Sequence, residues 1–130
     1  MRRTKNLDAA AIANRAAQAR AFLDSARMHV RGSAADNSVA GTSAVHAGIA
    51  AADAICGKSL GVCARGENHE EAVTLLAEAL PESGPSKNLA RLLSGKSLAG
   101  YSADMLTDAR TAEMIKYAER LVEVMDRVMR

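Results

Sequence analysis

Arg65-Gly66-Glu67-Asn68-His69 is the run of this sequence whose residue types best suit phosphate chemistry, a fixed cation and an imidazole with three residues between them. A helix is expected to begin here, with Asn68 as its N-cap and Glu71 three residues on. Free amide groups and the positive end of the helix dipole attract anions at such a place, and a guanidinium adds a bidentate grip. The same positive end disfavours protonation of His69, which leaves neutral imidazole able to accept a proton near neutral pH. Cleaving RNA without a metal requires a base for the 2′-hydroxyl proton, an acid for the leaving oxygen and a cation for the charge building on phosphorus. One arginine and one histidine do not fill three roles. Two copies of the chain facing across a dimer axis would, with one His69 as base, the other as acid and both Arg65 side chains on the phosphate. Asn68 and Lys58 are the further candidates for phosphate contact. The plain structural alternative is that Glu67, Asn68 and His69 cap a surface helix and do nothing else.

Other chemistry-bearing residues have simpler readings. Asp53 lies in an apolar stretch and is expected to be satisfied by a core arginine or lysine. His46, one heptad earlier, shares its face and is expected to be a buried, hydrogen-bonded histidine. His29, with Arg27 and Arg31, supplies favourable charge to a helix C-terminus. Gly57-Lys58-Ser59 and Gly95-Lys96-Ser97 echo the tail of a phosphate loop but lack its upstream glycine and preceding strand. Cys56 and Cys63 are the only cysteines, and their spacing places both on one side of a helix rather than at disulfide distance. A zinc site built from Cys56, Cys63 and His69 would lack a fourth close ligand and a C-x2-C knuckle, so two buried thiols are expected, with no metal and no cofactor.

These residues must be positioned by a chain of 130 residues and 13.6 kDa, the length of one domain and one core. Alanine is the commonest residue, and Phe22, Tyr101 and Tyr117 are the only aromatics, a composition that favours close-packed helices over a β-sandwich. Seventeen basic against fifteen acidic residues give a net charge of +2, far from the field of a dedicated nucleic-acid scaffold. With so few rings, base stacking cannot dominate any RNA contact, which would fall mostly on phosphate. Arg20, Arg27 and Arg31 form one basic row, and Arg120, Arg127 and Arg130 another. The basic start Met1-Arg2-Arg3 leads into polar residues rather than an apolar stretch, and no uncharged apolar run approaches the roughly 20 residues that cross a bilayer. A cytoplasmic protein without membrane contact is the expectation.

Apolar residues from Leu7 to Val30 recur at helical steps, and Gly32 stops the helix. Residues 33 to 42, small and polar, are expected to form a turn. A second helix is expected from about Ser43 to Leu60, with small residues on nearly every side as suits a central helix. A short third helix must end by Pro81, and a loop of Glu82, Ser83, Gly84 and Pro85 leads to a brief fourth over residues 87 to 94. Residues 95 to 103 are irregular. A long last helix starts near Thr107 with Ala112, Ile115, Ala118, Leu121, Val122, Met125, Val128 and Met129 on one face. No strand is expected. The fold is therefore an all-α, up-and-down bundle of three long and two short helices in a single domain over residues 1 to 130, with residues 1 to 6 as a flexible N-terminus.

The run from Thr42 to Ile55, the following loop with Arg65 and His69, then Leu75-Leu76, and the late Tyr101 before a closing helix through Ala118-Glu119-Arg120-Leu121-Val122 together resemble the HEPN family of small helical bundles. The similarity extends over about residues 7 to 128. It implies a homodimer and either a metal-independent endoribonuclease or a nucleotide- or RNA-binding member of a toxin or defence system, which carries an antitoxin-like protein partner with it. It assigns catalysis to Arg65 and His69, separated here by three residues where the family usually has more. The competing expectation is a non-catalytic helical module that dimerises or docks a partner through its Ala- and Met-rich surfaces, with Met114, Met125 and Met129 as adaptable contacts.

Overall fold

The computed structural model describes residues 3–66, 69–100, 103–104 and 106–130. They form an all-α bundle. Strand β1 (Thr4–Asn6) precedes helices α1 (Ala9–His29) and α2 (Ala34–Leu60), strand β2 (Val62–Ala64), and helices α3 (His69–Ala79), α4 (Ser83–Leu93), α5 (Lys96–Gly100) and α6 (Asp108–Met129).

The central helix begins nine residues earlier than its apolar pattern suggests. Ser33 is its N-cap and accepts from the Asp36 amide, while the Asp36 carboxylate accepts from the Ser33 amide, a complete capping box. The expected turn over residues 33 to 42 is thus the start of α2, and the chain reverses over Val30 to Ser33, with Arg31 at a φ of 64°. The small polar residues that read as a turn are held helical by burial. Asn37, Ala40 and Gly41 are buried, and Asn37 Nδ2 donates to the Leu106 carbonyl at 3.1 Å and to Asp108 Oδ1 at 2.8 Å. Gly61 ends α2 in the left-handed region at a φ of 77°, which suits a residue without a Cβ.

Helix α2 is the axis of the core, with α1 along one side and α6 along another. Its alanines from Ala44 to Ala54 are buried at 3% exposure or less. Larger side chains supply most of the buried apolar area around them, among them Leu23, Leu76, Leu89, Leu92, Leu121 and Met125. By length and hydropathy alone α2 would suffice to cross a membrane, yet two thirds of its most apolar window is buried by the rest of the bundle. Helices α1 and α2 are antiparallel in a regular register, in which Arg15 meets Asp53, Phe22 meets His46 and Ser25 meets Ser43. Helix α6 crosses α1 antiparallel as well, with Arg20 on Asp126 and Arg27 on Glu119, each at 2.7 to 2.8 Å.

Several expectations are corrected. Thr4–Asn6, within the stretch expected as a flexible N-terminus, forms a strand that pairs antiparallel with Val62–Ala64 in the register Thr4 to Ala64, Lys5 to Cys63 and Asn6 to Val62. The segment expected as a loop over Glu82 to Pro85 contains the first turn of α4, since proline is well tolerated there. A fifth, one-turn helix occupies the stretch expected to be irregular. Cys63 lies in β2 rather than on a helix with Cys56, and both are free, buried thiols. On α6, Ala112 is exposed and Thr111 takes the buried position, its hydroxyl donating to the Thr107 carbonyl at 2.8 Å. Met114 and Met125 are fully buried, which removes them from any docking surface.

Candidate functional site

The two-stranded ribbon and the start of α3 set the positions of Arg65 and His69. Arg65 follows β2 directly, and its amide donates to the Arg3 carbonyl at 2.9 Å, so the ribbon holds its backbone while the side chain is exposed. Its guanidinium enters no ion pair among the described residues. Gly66 then turns at a φ of 83°, and Glu67 and Asn68 lie outside the described residues, Asn68 as N-cap and phosphate ligand included. His69 is the first residue of α3 and is half-buried. Lys58 is exposed in the last turn of α2 and joins no ion pair among the described residues.

Lys96, which sequence reasoning set aside, is placed against His69. Its Nζ is 2.9 Å from His69 Nε2. An ammonium has only donors, so Nε2 accepts, and the imidazole in this contact carries its ring proton on Nδ1. Nothing within a few residues of His69 signals this partner, because it comes from the start of α5, twenty-seven positions away. Beside the pair a groove of about 420 Å³ runs between α3 and α4, bounded by His69, Glu70, Val73, Thr74, Ala90 and Leu93. It is largely apolar, with the imidazole at its polar edge.

His46 is exposed rather than buried. Its ring centroid is 5.1 Å from that of Phe22, with the planes inclined by 32°. Desolvation by that packing, and then the positive charges of Lys96 and Arg15, hold the imidazole below its ordinary pKa. Asp53 receives two hydrogen bonds from Arg15, at 2.8 and 3.1 Å, as the expectation of a basic partner required. Burial nevertheless raises its pKa, against the lowering effects of Arg15 and Lys5. Burial likewise pushes the Cys56 thiol up to about 12, aided by the charge of Asp53, and raises Cys63 as well. Neither is a nucleophile near neutral pH.

The two basic rows are not open phosphate tracks. Arg20 and Arg27 are matched by acids of α6, and His29 Nδ1 lies 2.8 Å from the Ser25 carbonyl. Arg120, Arg127 and Arg130 border a separate groove of about 530 Å³ together with Glu82, Glu123 and Asp126, so its charge is mixed. Among the described residues no group of three His, Cys, Asp or Glu side chains is disposed to hold a metal ion. No protein-family model matches the chain, and no curated protein or solved structure is significantly similar to it.

Proposed function

We propose that the protein is a HEPN-like, metal-independent endoribonuclease, a member of a toxin or defence system that binds the phosphodiester of RNA through Arg65, His69 and Lys96. The contact of Lys96 Nζ with His69 Nε2 at 2.9 Å carries this reading. It holds a mobile cation against a proton-accepting nitrogen, with an exposed guanidinium on the segment leading into the same helix. An incoming phosphate competes for the ammonium, and Lys96 turning onto the anion releases Nε2 for proton transfer. The exposed Lys58 is a more distant contributor to phosphate affinity. Since the binding groups are cations, affinity falls with added salt.

Incubation of the purified protein with single-stranded RNA in excess chelator tests the proposal. Cleavage that is lost in His69→Ala and in Arg65→Ala supports it, and equal turnover by the His69→Ala protein refutes it.

One observation favours a partner-docking role instead. Met28 and Val39 are 81% and 45% exposed, and the α1–α2 register puts both towards the same end of the hairpin. A Met28→Lys, Val39→Lys protein that changes its oligomeric state, in a chain that cleaves no RNA, is the outcome that reading requires.

A further inference from the structure

The sequence supplies only one histidine in the Arg65–His69 motif, and a second copy of the chain was the way to find another. The fold offers a nearer one. The chain from Leu92 to Gly100 descends antiparallel along α2. A Cβ on Gly48 would meet Leu92, one on Gly41 would lie 3.1 Å from the Ala99 Cβ, and one on Gly100 would lie 3.6 Å from Thr42 Oγ1. Lys96 is one helical turn before Gly100, and His46 is one turn after Thr42, so this register sets Lys96 at the level of His46, where its charge acts on the imidazole. The Lys96 side chain ends on His69 Nε2. One lysine is thereby bonded to one imidazole and level with a second, from different helices of the same chain.

We infer that His46, Lys96 and His69 form a single-chain phosphodiester site in which the two histidines are the paired proton-transfer groups and Lys96 is the cation on the phosphate. This rests on the ribonuclease reading above and replaces its need for a histidine from a second copy. His46 is exposed and therefore reachable by substrate. The groups facing it are Arg15 from α1 and Lys96 from α5, with Asp53 one heptad along its own helix; desolvation, and after it the two cations, lower its pKa, which suits it to be the base. In the reaction His46 removes the proton from the 2′-hydroxyl. The 2′-oxygen then bonds to phosphorus as the bond from phosphorus to the 5′-oxygen breaks, and His69, which takes up a proton on Nε2 once Lys96 has turned onto the phosphate, delivers that proton to the leaving oxygen. The products are a 2′,3′-cyclic phosphate and a 5′-hydroxyl. His46 ends protonated and His69 neutral, and exchange with water restores both.

The test measures cleavage of end-labelled single-stranded RNA in chelator by the full chain, by His46→Gln, His69→Gln and Lys96→Met, and by an equimolar mixture of the two histidine variants. Each single variant is expected to lose about 100-fold or more, and His46→Gln is expected to lose the acid-side limb of the pH–rate profile, which a structural role would leave in place. The mixture recovers nothing if both histidines act within one chain. Recovery in the mixture places them on different copies and overturns the inference. Full activity of His46→Gln, with wild-type protein active and His69→Gln dead, overturns it while leaving the proposed function standing. Wild-type protein that leaves RNA intact removes both. Folding is checked by titrating inorganic phosphate and following the imidazole Cε1–H resonances. Both His46 and His69 are expected to shift in the wild type, with at least a tenfold weaker response in Lys96→Met, and a shift at neither in the wild type refutes the site.

Discussion

Replacing Arg15 by methionine should expose the energetics of the α1–α2 interface, because it removes a cation and keeps most of the apolar stem. Arg15 gives Asp53 two hydrogen bonds, and the side chains are 29% and 15% exposed. Exposed ion pairs contribute about 0–1 kcal/mol, whereas stripping one partner from a buried pair costs about 3–5 kcal/mol. With one side chain nearly buried and the other not, the Arg15→Met loss should be about 2 kcal/mol at pH 7. The loss must also depend on pH with a fixed sign. Burial already raises the Asp53 pKa above 3.8 and Arg15 opposes that rise, so the variant raises it further. A carboxyl with a raised folded-state pKa contributes most below its unfolded value and loses that contribution as pH rises through the folded value. The variant should therefore lie closest to wild type near pH 4 and fall behind as the pH approaches neutrality. Urea titrations at several pH values, with Asp53→Asn added to the variant, measure this directly. Asp53→Asn should return much of the lost stability at pH 7 by removing the stranded charge. A deficit under 0.5 kcal/mol at pH 7, or one that is flat with pH, would refute the account.

Three further outcomes are expected. Gly48→Ala gains about 1 kcal/mol of helix propensity but sets a Cβ into Leu92 and 3.3 Å from Leu121 Cδ1, both fully buried, so thermal unfolding should show a net loss of about 1 kcal/mol. A more stable variant would mean that the α2–α4 contact yields freely. Native protein at pH 8 should leave Cys56 and Cys63 unlabelled by a thiol reagent for as long as it remains folded, since both thiols are buried and raised in pKa, with Cys56 at about 12; prompt labelling of either would contradict this. Deleting residues 1 to 6 removes the partners of Val62–Ala64 and of the Arg65 amide, so amide exchange across residues 62 to 65 should accelerate at least tenfold, while α2 and α6 remain protected. Unchanged exchange there would show that the ribbon does not hold Arg65.

The bundle was legible in the sequence where apolar spacing and burial agree. Leu23 and Ala26 of α1, the alanines of α2 from Ala44 to Ala54, and Ile115, Ala118, Leu121, Val122 and Met125 of α6 all face the core as their periodicity requires. It was illegible where tertiary contact overrides local preference. Ser33 to Thr42 has turn composition but is helical because Asn37 and Gly41 are buried against the loop and helices that follow. The β1–β2 ribbon escaped notice because strands of three residues carry no usable alternation. Within the site, Arg65 and His69 were visible as a local motif, whereas Lys96 was not, since its pairing with His69 depends on how α5 lies against α2. His46 was assigned to the interior because it sits among alanines. It is exposed because α1 meets that face with Phe22 and covers only one side of the ring.

The same small residues that make α2 look chemically empty are what let α4 and α5 approach it closely. Gly41 and Gly48 allow Ala99 and Leu92 to reach the α2 backbone, and so fix the line along which the chain between them descends. Lys96 is carried on that line, at the level of His46, and α3 packs against both α2 and α4 so that His69 at its start meets the lysine. Larger side chains at Gly41 or Gly48 would push this segment outward. Since Arg65 is held by β2 instead, such a change should weaken the Lys96–His69 contact while leaving Arg65 in place. Gly41→Val should therefore reduce the response of His69 to phosphate without altering amide exchange at Arg65. If the two move together, the ribbon and the α2–α5 contact are one mechanical unit, and the separate positioning of cation and imidazole argued here is wrong.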